Sequence, residues 1–133
     1  MRLNLFLLIG GLLAMTCGWS AEDAPAAAAA KRIGIAELEK LRRNTNVVIL
    51  DVRTKDEFAK GRIPGAVNLD INSLRFMEMA GALDKSKIYV VNCAVGMRSA
   101  RACKKLEPLG FKELYDFAPG FDGWKKERKP VEK

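Results

Sequence analysis

Two short runs of the 133-residue chain, residues 47–50 (Val-Val-Ile-Leu) and 88–91 (Ile-Tyr-Val-Val), show no alternation of apolar and polar positions and lead into the polar residues Asp51 and Asn92. A strand that faces water on one side alternates; one that is apolar throughout is covered on both faces, the habit of parallel sheets. Helical patterns lie around these runs. Ile33, Ile35, Leu38 and Leu41 mark a first amphipathic helix, closed by Arg42, Arg43 and Asn44. Thr54-Lys55-Asp56-Glu57 is a capping box opening a short helix that ends near Gly61. A turn over residues 61–65 precedes a short strand at 66–69. A helix over 73–80 is apolar at Leu74, Met77 and Phe76 and stopped by Gly81. A longer helix over 98–109 ends at Gly110, and a last strand is expected at 114–117. Pro119-Gly120 turns the chain into a final helical turn over 121–126, in which Trp124 forms a lid on the core. Strands and helices that alternate with short turns predict an α/β fold: a small parallel β-sheet covered by helices on both faces. Ligands of such sheets sit beyond the carboxyl ends of the strands. Asp51 and Cys93 both lie there and are expected to face one crevice.

The front of the chain reads differently. A basic start at Arg2, an apolar stretch over 5–15 and small residues at Gly18 and Ser20 have the order of a secretory leader, and the stretch is short for a membrane span. The expected organisation is a signal peptide over 1–20, an Ala-rich spacer over 21–32 and one domain over 33–133. A periplasmic or secreted protein follows, a monomer with no stable membrane insertion after cleavage. An uncleaved anchor, holding the domain on the outer side of the inner membrane, ranks second, and lipidation at Cys17 third. The 23 Lys and Arg exceed the 16 Asp and Glu, a net charge of +7 that falls by one when Arg2 leaves with the leader. That balance suits small anions or an acidic membrane face. Neither aromatic interleaving nor a recognised motif supports nucleic acid. Lys125, Lys126, Arg128, Lys129 and Lys133 are expected to form a solvated tail.

Cleavage would leave two cysteines, Cys93 and Cys103. Cys103 shares helical spacing with Ser99, Ala102, Leu106 and Leu109 and is expected in the core; an exported chain also invites a disulfide or a resolving role for it. The chain has no histidine, which removes Cys–His hydrolase chemistry and His-based metal sites. Cys93 is another matter. A strand delivers it into the loop Cys93-Ala94-Val95-Gly96-Met97-Arg98-Ser99, directly before a helix. Loop amides and a helix start offer unpaired N–H groups and a positive partial charge, which stabilise a thiolate and any anion bound to it. Gly96 frees the loop to take positive φ, and Arg98 adds a fork of donors suited to oxyanions.

Four motifs in this order carry a resemblance: Leu50-Asp51-Val52-Arg53 with Glu57-Phe58; Gly61-Arg62-Ile63-Pro64-Gly65-Ala66-Val67-Asn68; the loop from Cys93 to Ser99; and Gly120 with Trp124. The chain resembles the rhodanese family of sulfurtransferases, in its small exported single-domain form, from about residue 33 to 124. Arg62 stands where family members usually carry a histidine, a position outside the chemistry. The resemblance implies a catalytic Cys93 that takes a sulfane sulfur from a small anionic donor such as thiosulfate. The resulting persulfide would pass its sulfur to cyanide or a thiol acceptor, without cofactor or metal. Ala94, Val95, Gly96, Met97, Arg98 and Ser99 would supply the amides that hold the substrate, with Arg98 also orienting the loop or the anion. Asp51 and Arg53 would brace the loop as an ion pair. An alternative is a persulfide carrier or redox-linked binding module working with a thioredoxin-like dithiol protein of the envelope. A cysteine phosphatase is the more distant rival: those loops place five residues between Cys and Arg, and here four stand between Cys93 and Arg98.

Overall fold

The computed structural model describes residues 29–133; the expected leader, Cys17 and most of the spacer lie outside the described residues. Five strands form one sheet in the order β1-β5-β4-β2-β3, parallel throughout: β1 (Lys31–Ile33), β2 (Val47–Asp51), β3 (Val67–Asn68), β4 (Ile88–Asn92) and β5 (Glu113–Phe117). Helices α1 (Ile35–Leu41), α2 (Lys55–Lys60), α3 (Phe76–Gly81), α4 (Met97–Leu106) and α5 (Gly120–Lys126) connect or follow them. The expected α/β fold is therefore present. Side chains of each strand alternate between two cores. One face joins Leu50, Tyr89, Val91 and Leu114 to Phe76, Ala80, Ala102, Cys103 and Leu106 of α3 and α4. The other joins Ile49, Val90 and Phe117 to Leu38 of α1 and to Phe121 and Trp124 of α5. Trp124 is fully buried, meets Phe117 edge to face at 6.4 Å, and donates its indole N–H to the Pro130 carbonyl at 2.7 Å. Truncating such a residue costs about 3–5 kcal/mol.

Several expectations change. Ile33 belongs not to α1 but to edge strand β1, where it pairs with Phe117; three residues reading Lys-Arg-Ile carry no local period, and the pairing partner lies far along the chain. Helix α3 starts at Phe76 and turns Phe76 and Ala80 inward, one helical turn apart, leaving Leu74 fully exposed and Met77 exposed. Helix α4 ends at Leu106, short of the expected Leu109; a 3-10 turn over Glu107–Leu109, around Pro108, carries the chain on until Gly110 closes it at φ +84°. The tail is not simply solvated. Lys129 pairs with Glu39 at 2.8 Å, and Glu132 forms an antiparallel bridge with Arg62. Arg62 itself is held by Glu132 at 3.5 Å and stacks on Phe58.

The chain order reverses between β2 and β4, which are neighbours in the sheet. At that switch point their carboxyl ends lie side by side, with Asp51 in register with Asn92. Asp116, near the end of β5, pairs in register with Val91. The carboxyl edge of an otherwise apolar sheet is thus a shelf of buried polar side chains: Asp51, Asn92 and Asp116.

Candidate active site

Above this shelf, β4 hands the chain to Cys93. The Cys93 and Ala94 carbonyls accept hydrogen bonds from the Phe121 and Asp122 amides, at 2.7 and 3.0 Å, where α5 begins. Both carbonyls are thereby drawn outward to α5, leaving the amides for the inside of the loop. The first of these is Gly96 N–H, which donates to Cys93 Sγ at 3.0 Å. Gly96 sits at φ +88° and a Cβ there would collide with the Ala118 carbonyl oxygen; Gly120, at φ +66°, would likewise collide with the Ala94 carbonyl. Two left-handed glycines therefore permit the close contact of loop and α5.

Helix α4 then starts with no side chain capping it. Its first amides, Met97, Arg98 and Ser99, have no intrahelical acceptor, as at any helix start. Helix α2 does the opposite. Thr54 Oγ1 accepts from the Glu57 amide at 3.2 Å and the Glu57 carboxylate accepts from the Thr54 amide at 3.0 Å, so the capping box is complete as expected. One helix start is closed by its own residues; the other is left open over a sulfur.

The side chains of the loop divide by task. Arg98 does not turn into the ring: its two terminal nitrogens donate to the Glu57 carboxylate at 2.7 and 2.8 Å, tying α4 to α2. Chiefly because of this guanidinium, with the Thr54 donors adding to it, the Glu57 carboxyl is lowered to about 2. Ser99 is buried, its hydroxyl 2.6 Å from Asp116 Oδ1 and 3.1 Å from the Gly96 carbonyl oxygen, which locks the loop to β5. Val95 and Met97 point outward, 60% and 76% exposed. They flank a groove of about 660 Å³ that also reaches Arg32 and Arg101.

Asp51 and Arg53 meet beneath the loop. Arg53 Nη2 and Nε donate to the Asp51 carboxylate at 2.7 and 3.0 Å, with both side chains buried. Arg53 also donates to the Gly61 carbonyl at 2.7 Å and lies 4.4 Å over the Phe121 ring. The pair thus links β2, α2 and α5, the three elements around the loop. Breaking one half of such a buried pair costs about 3–5 kcal/mol, because the other charge is left without a partner. Asn92 Nδ2 lies 3.5 Å from Asp51 Oδ2, and the buried Asn92 Oδ1 has no protein partner.

Glu57, Asp116, Asn92 and Phe121 belong to this site, yet the sequence did not point to them as such. Asn92 and Asp116 share the signal that singled out Asp51, a polar residue in the closing positions of an apolar strand. The two cysteines among the described residues are free and buried; Cys93 is 1% exposed and Cys103 lies on the core side of α4, its thiol pushed up to about 12 by burial. Among the described residues no group of Cys, Asp and Glu is placed to hold a metal ion, and no helix is long and apolar enough to cross a membrane.

A family model described as Rhodanese-like domain matches residues 34–127. A Bacillus subtilis protein named as a sulfurtransferase, YtwF, is 39% identical over 101 residues, which cover 75% of this chain and 95% of that one. The thiosulfate sulfurtransferase GlpE of Coxiella burnetii is 34% identical over 95 residues, 71% of this chain and 87% of its own. Among solved structures, a rhodanese-related protein of Thermoplasma volcanium superposes with a TM-score of 0.67 at 33% identity, covering 77% of this chain and 97% of that one. A rhodanese-like domain protein of Staphylococcus aureus does so with a TM-score of 0.62 at 34% identity, covering 71% and 90%.

Proposed function

The chain belongs to the rhodanese-like domain family and is a sulfurtransferase, and from that premise we propose that it carries sulfane sulfur as a persulfide on Cys93, with thiosulfate as donor. The Cys93 thiolate attacks the outer sulfur of thiosulfate. A new S–S bond forms, the old one breaks, and its electron pair leaves with sulfite. Sulfite is a stable anion, so the step needs no general acid, and a chain without histidine loses nothing by it. In the second half the terminal persulfide sulfur passes to an acceptor nucleophile, cyanide or a thiol, and the thiolate returns. Each half-reaction has an anion at the loop centre, and the open amides serve it in both. Turnover in two such halves is ping-pong.

The observation that carries this reading is the Gly96 amide on Cys93 Sγ at the uncapped start of α4. Ala94, Val95, Met97, Arg98 and Ser99 complete the ring through their backbone, while the Arg98 side chain braces it from outside. Intact mass after incubation with thiosulfate tests the intermediate. One added sulfur, about 32 Da, is expected on the wild type and none on Cys93→Ala. A wild type that gains no mass refutes it.

Val95 and Met97 favour a protein thiol over cyanide as the natural acceptor, since two apolar side chains exposed beside a reacting sulfur suit a partner surface. A thioredoxin-like dithiol protein outside the cytoplasm fits that reading and the leader over residues 1–20. N-terminal sequencing of the exported chain tests the compartment.

A further inference from the structure

Residues 128–133 lie beyond the stretch matched by the family model, yet they are firmly held. Glu132 exchanges both backbone hydrogen bonds with Arg62, each 2.9 Å, and its carboxylate accepts from the Gly65 amide at 2.9 Å. Pro130 accepts the Trp124 indole at 2.7 Å, and Val131 packs against Gly61 and so against the segment that receives Arg53. This strap forms one wall of a cleft of about 410 Å³ between α2 and α5. Val131 and Lys133 line that wall, Lys60 and Lys125 stand on the helices, and Ala94, next to Cys93, lies at the inner end. The acidic groups of the cleft are engaged: Glu57 by Arg98 and Asp122 by Lys125. Neither Lys60 nor Lys133 has an acidic partner among the described residues. The cleft therefore carries an uncompensated positive charge at the loop that holds the thiol.

We propose that the C-terminal strap is a specificity element, which walls this cleft and, through Lys133 together with Lys60, makes it the approach by which an anionic sulfur donor reaches Cys93. The proposal rests on Cys93 as the reacting thiol and deepens that reading by naming the side from which the donor arrives. Clefts lined by one sign of charge raise the on-rate of oppositely charged small molecules by tenfold or more, an effect that salt screens.

Two alkylating agents of nearly equal size separate charge from reactivity. Iodoacetate is anionic and iodoacetamide neutral; each forms a C–S bond to the thiolate and releases iodide. Rates on the Cys93 peptide, read by mass spectrometry at low salt, give an anion-to-neutral ratio for each variant. Lys60→Glu combined with Lys133→Glu is expected to lower that ratio about fivefold, with most of the difference lost in high salt. In Val131→Ala, which loosens the strap against Gly61 and changes no charge, the ratio falls in the same direction by a smaller factor. A ratio that stays within twofold of wild type in the double variant, or a fall shared equally by both reagents, overturns the proposal. Because the probes need no sulfur transfer, a wild type that gains no sulfur from thiosulfate yet shows the charge dependence refutes the persulfide alone and leaves the cleft standing.

Discussion

Cys93 lies just before α4 and Cys103 within it, and the two are alike in most respects. Both are free, both are buried, and both belong to the same apolar cluster beneath α4. They differ in what the backbone offers them. Cys103 sits within α4, where the neighbouring amides are spent on the helix, and its thiol has a single long contact, to the Tyr115 carbonyl oxygen at 4.0 Å. Burial, with the charges of Asp116 and Glu107 adding to it, pushes that thiol up to about 12. Cys93 precedes the helix, where amides are still open, and Gly96 N–H points at its sulfur. Burial among hydrocarbon favours a neutral thiol, whereas burial beneath unpaired donors gives an anion somewhere to sit. On the proposed reading, position relative to the helix start is what separates the reacting sulfur from the structural one.

The sharpest break of the comparison is to remove each sulfur in turn. Cys93→Ala is expected to abolish thiosulfate–cyanide sulfur transfer, while Cys103→Ala keeps turnover within about twofold of wild type and shows a modest loss of stability from the small cavity it leaves. Equal losses in both variants would erase the distinction.

A smaller effect follows from redirecting the donors. Gly96→Ala forces a Cβ onto the Ala118 carbonyl at a left-handed position, at about 1–3 kcal/mol of stability, and turns the amide away from sulfur; turnover falls roughly a hundredfold. Gly110 has a similar φ, +84°, with open space around its Cβ. Gly110→Ala therefore bears the backbone strain alone, about 1 kcal/mol, with turnover unchanged. Denaturant midpoints and steady-state rates on the two variants separate strain from chemistry.

The mildest test is titration. The Cys103 thiol is raised from its ordinary 9.0 to about 12 in the folded chain. Between those values the unfolded chain has lost a proton that the folded chain keeps, so Cys103 disfavours folding increasingly as pH rises through that window and has no effect below it. Denaturation of wild type and Cys103→Ala at pH 8 and pH 10.5 is expected to show a smaller stability loss with pH in the variant. Identical losses would mean that the thiol is not held neutral by its surroundings.

Much of this architecture was legible because its causes are local. The apolar runs of β2 and β4, the Thr54–Glu57 capping box and Gly110 at the close of the turn after α4 each depend on residues within one turn or one strand. Strand β1 and the inward face of α3 were misread for the converse reason. Three residues show no period, and Leu74 and Met77 look as apolar as Phe76 until the sheet is there to choose between them. The partners of the loop belong to the second kind too. That Arg98 meets Glu57, 41 positions away, and that Ser99 meets Asp116 follow from the order of the strands and from nothing near either residue.

From its residues alone, then, this chain determined an α/β sheet, a cysteine placed before a helix, and a glycine free to turn the loop, since strand pattern, capping and backbone freedom act over a few neighbouring positions. Folding in three dimensions decided the remainder: which carbonyls α5 draws out of the ring, which side chains brace it, and which lysines are left without partners at its edge. Those outcomes depend on contacts between segments distant along the chain, which local pattern does not encode.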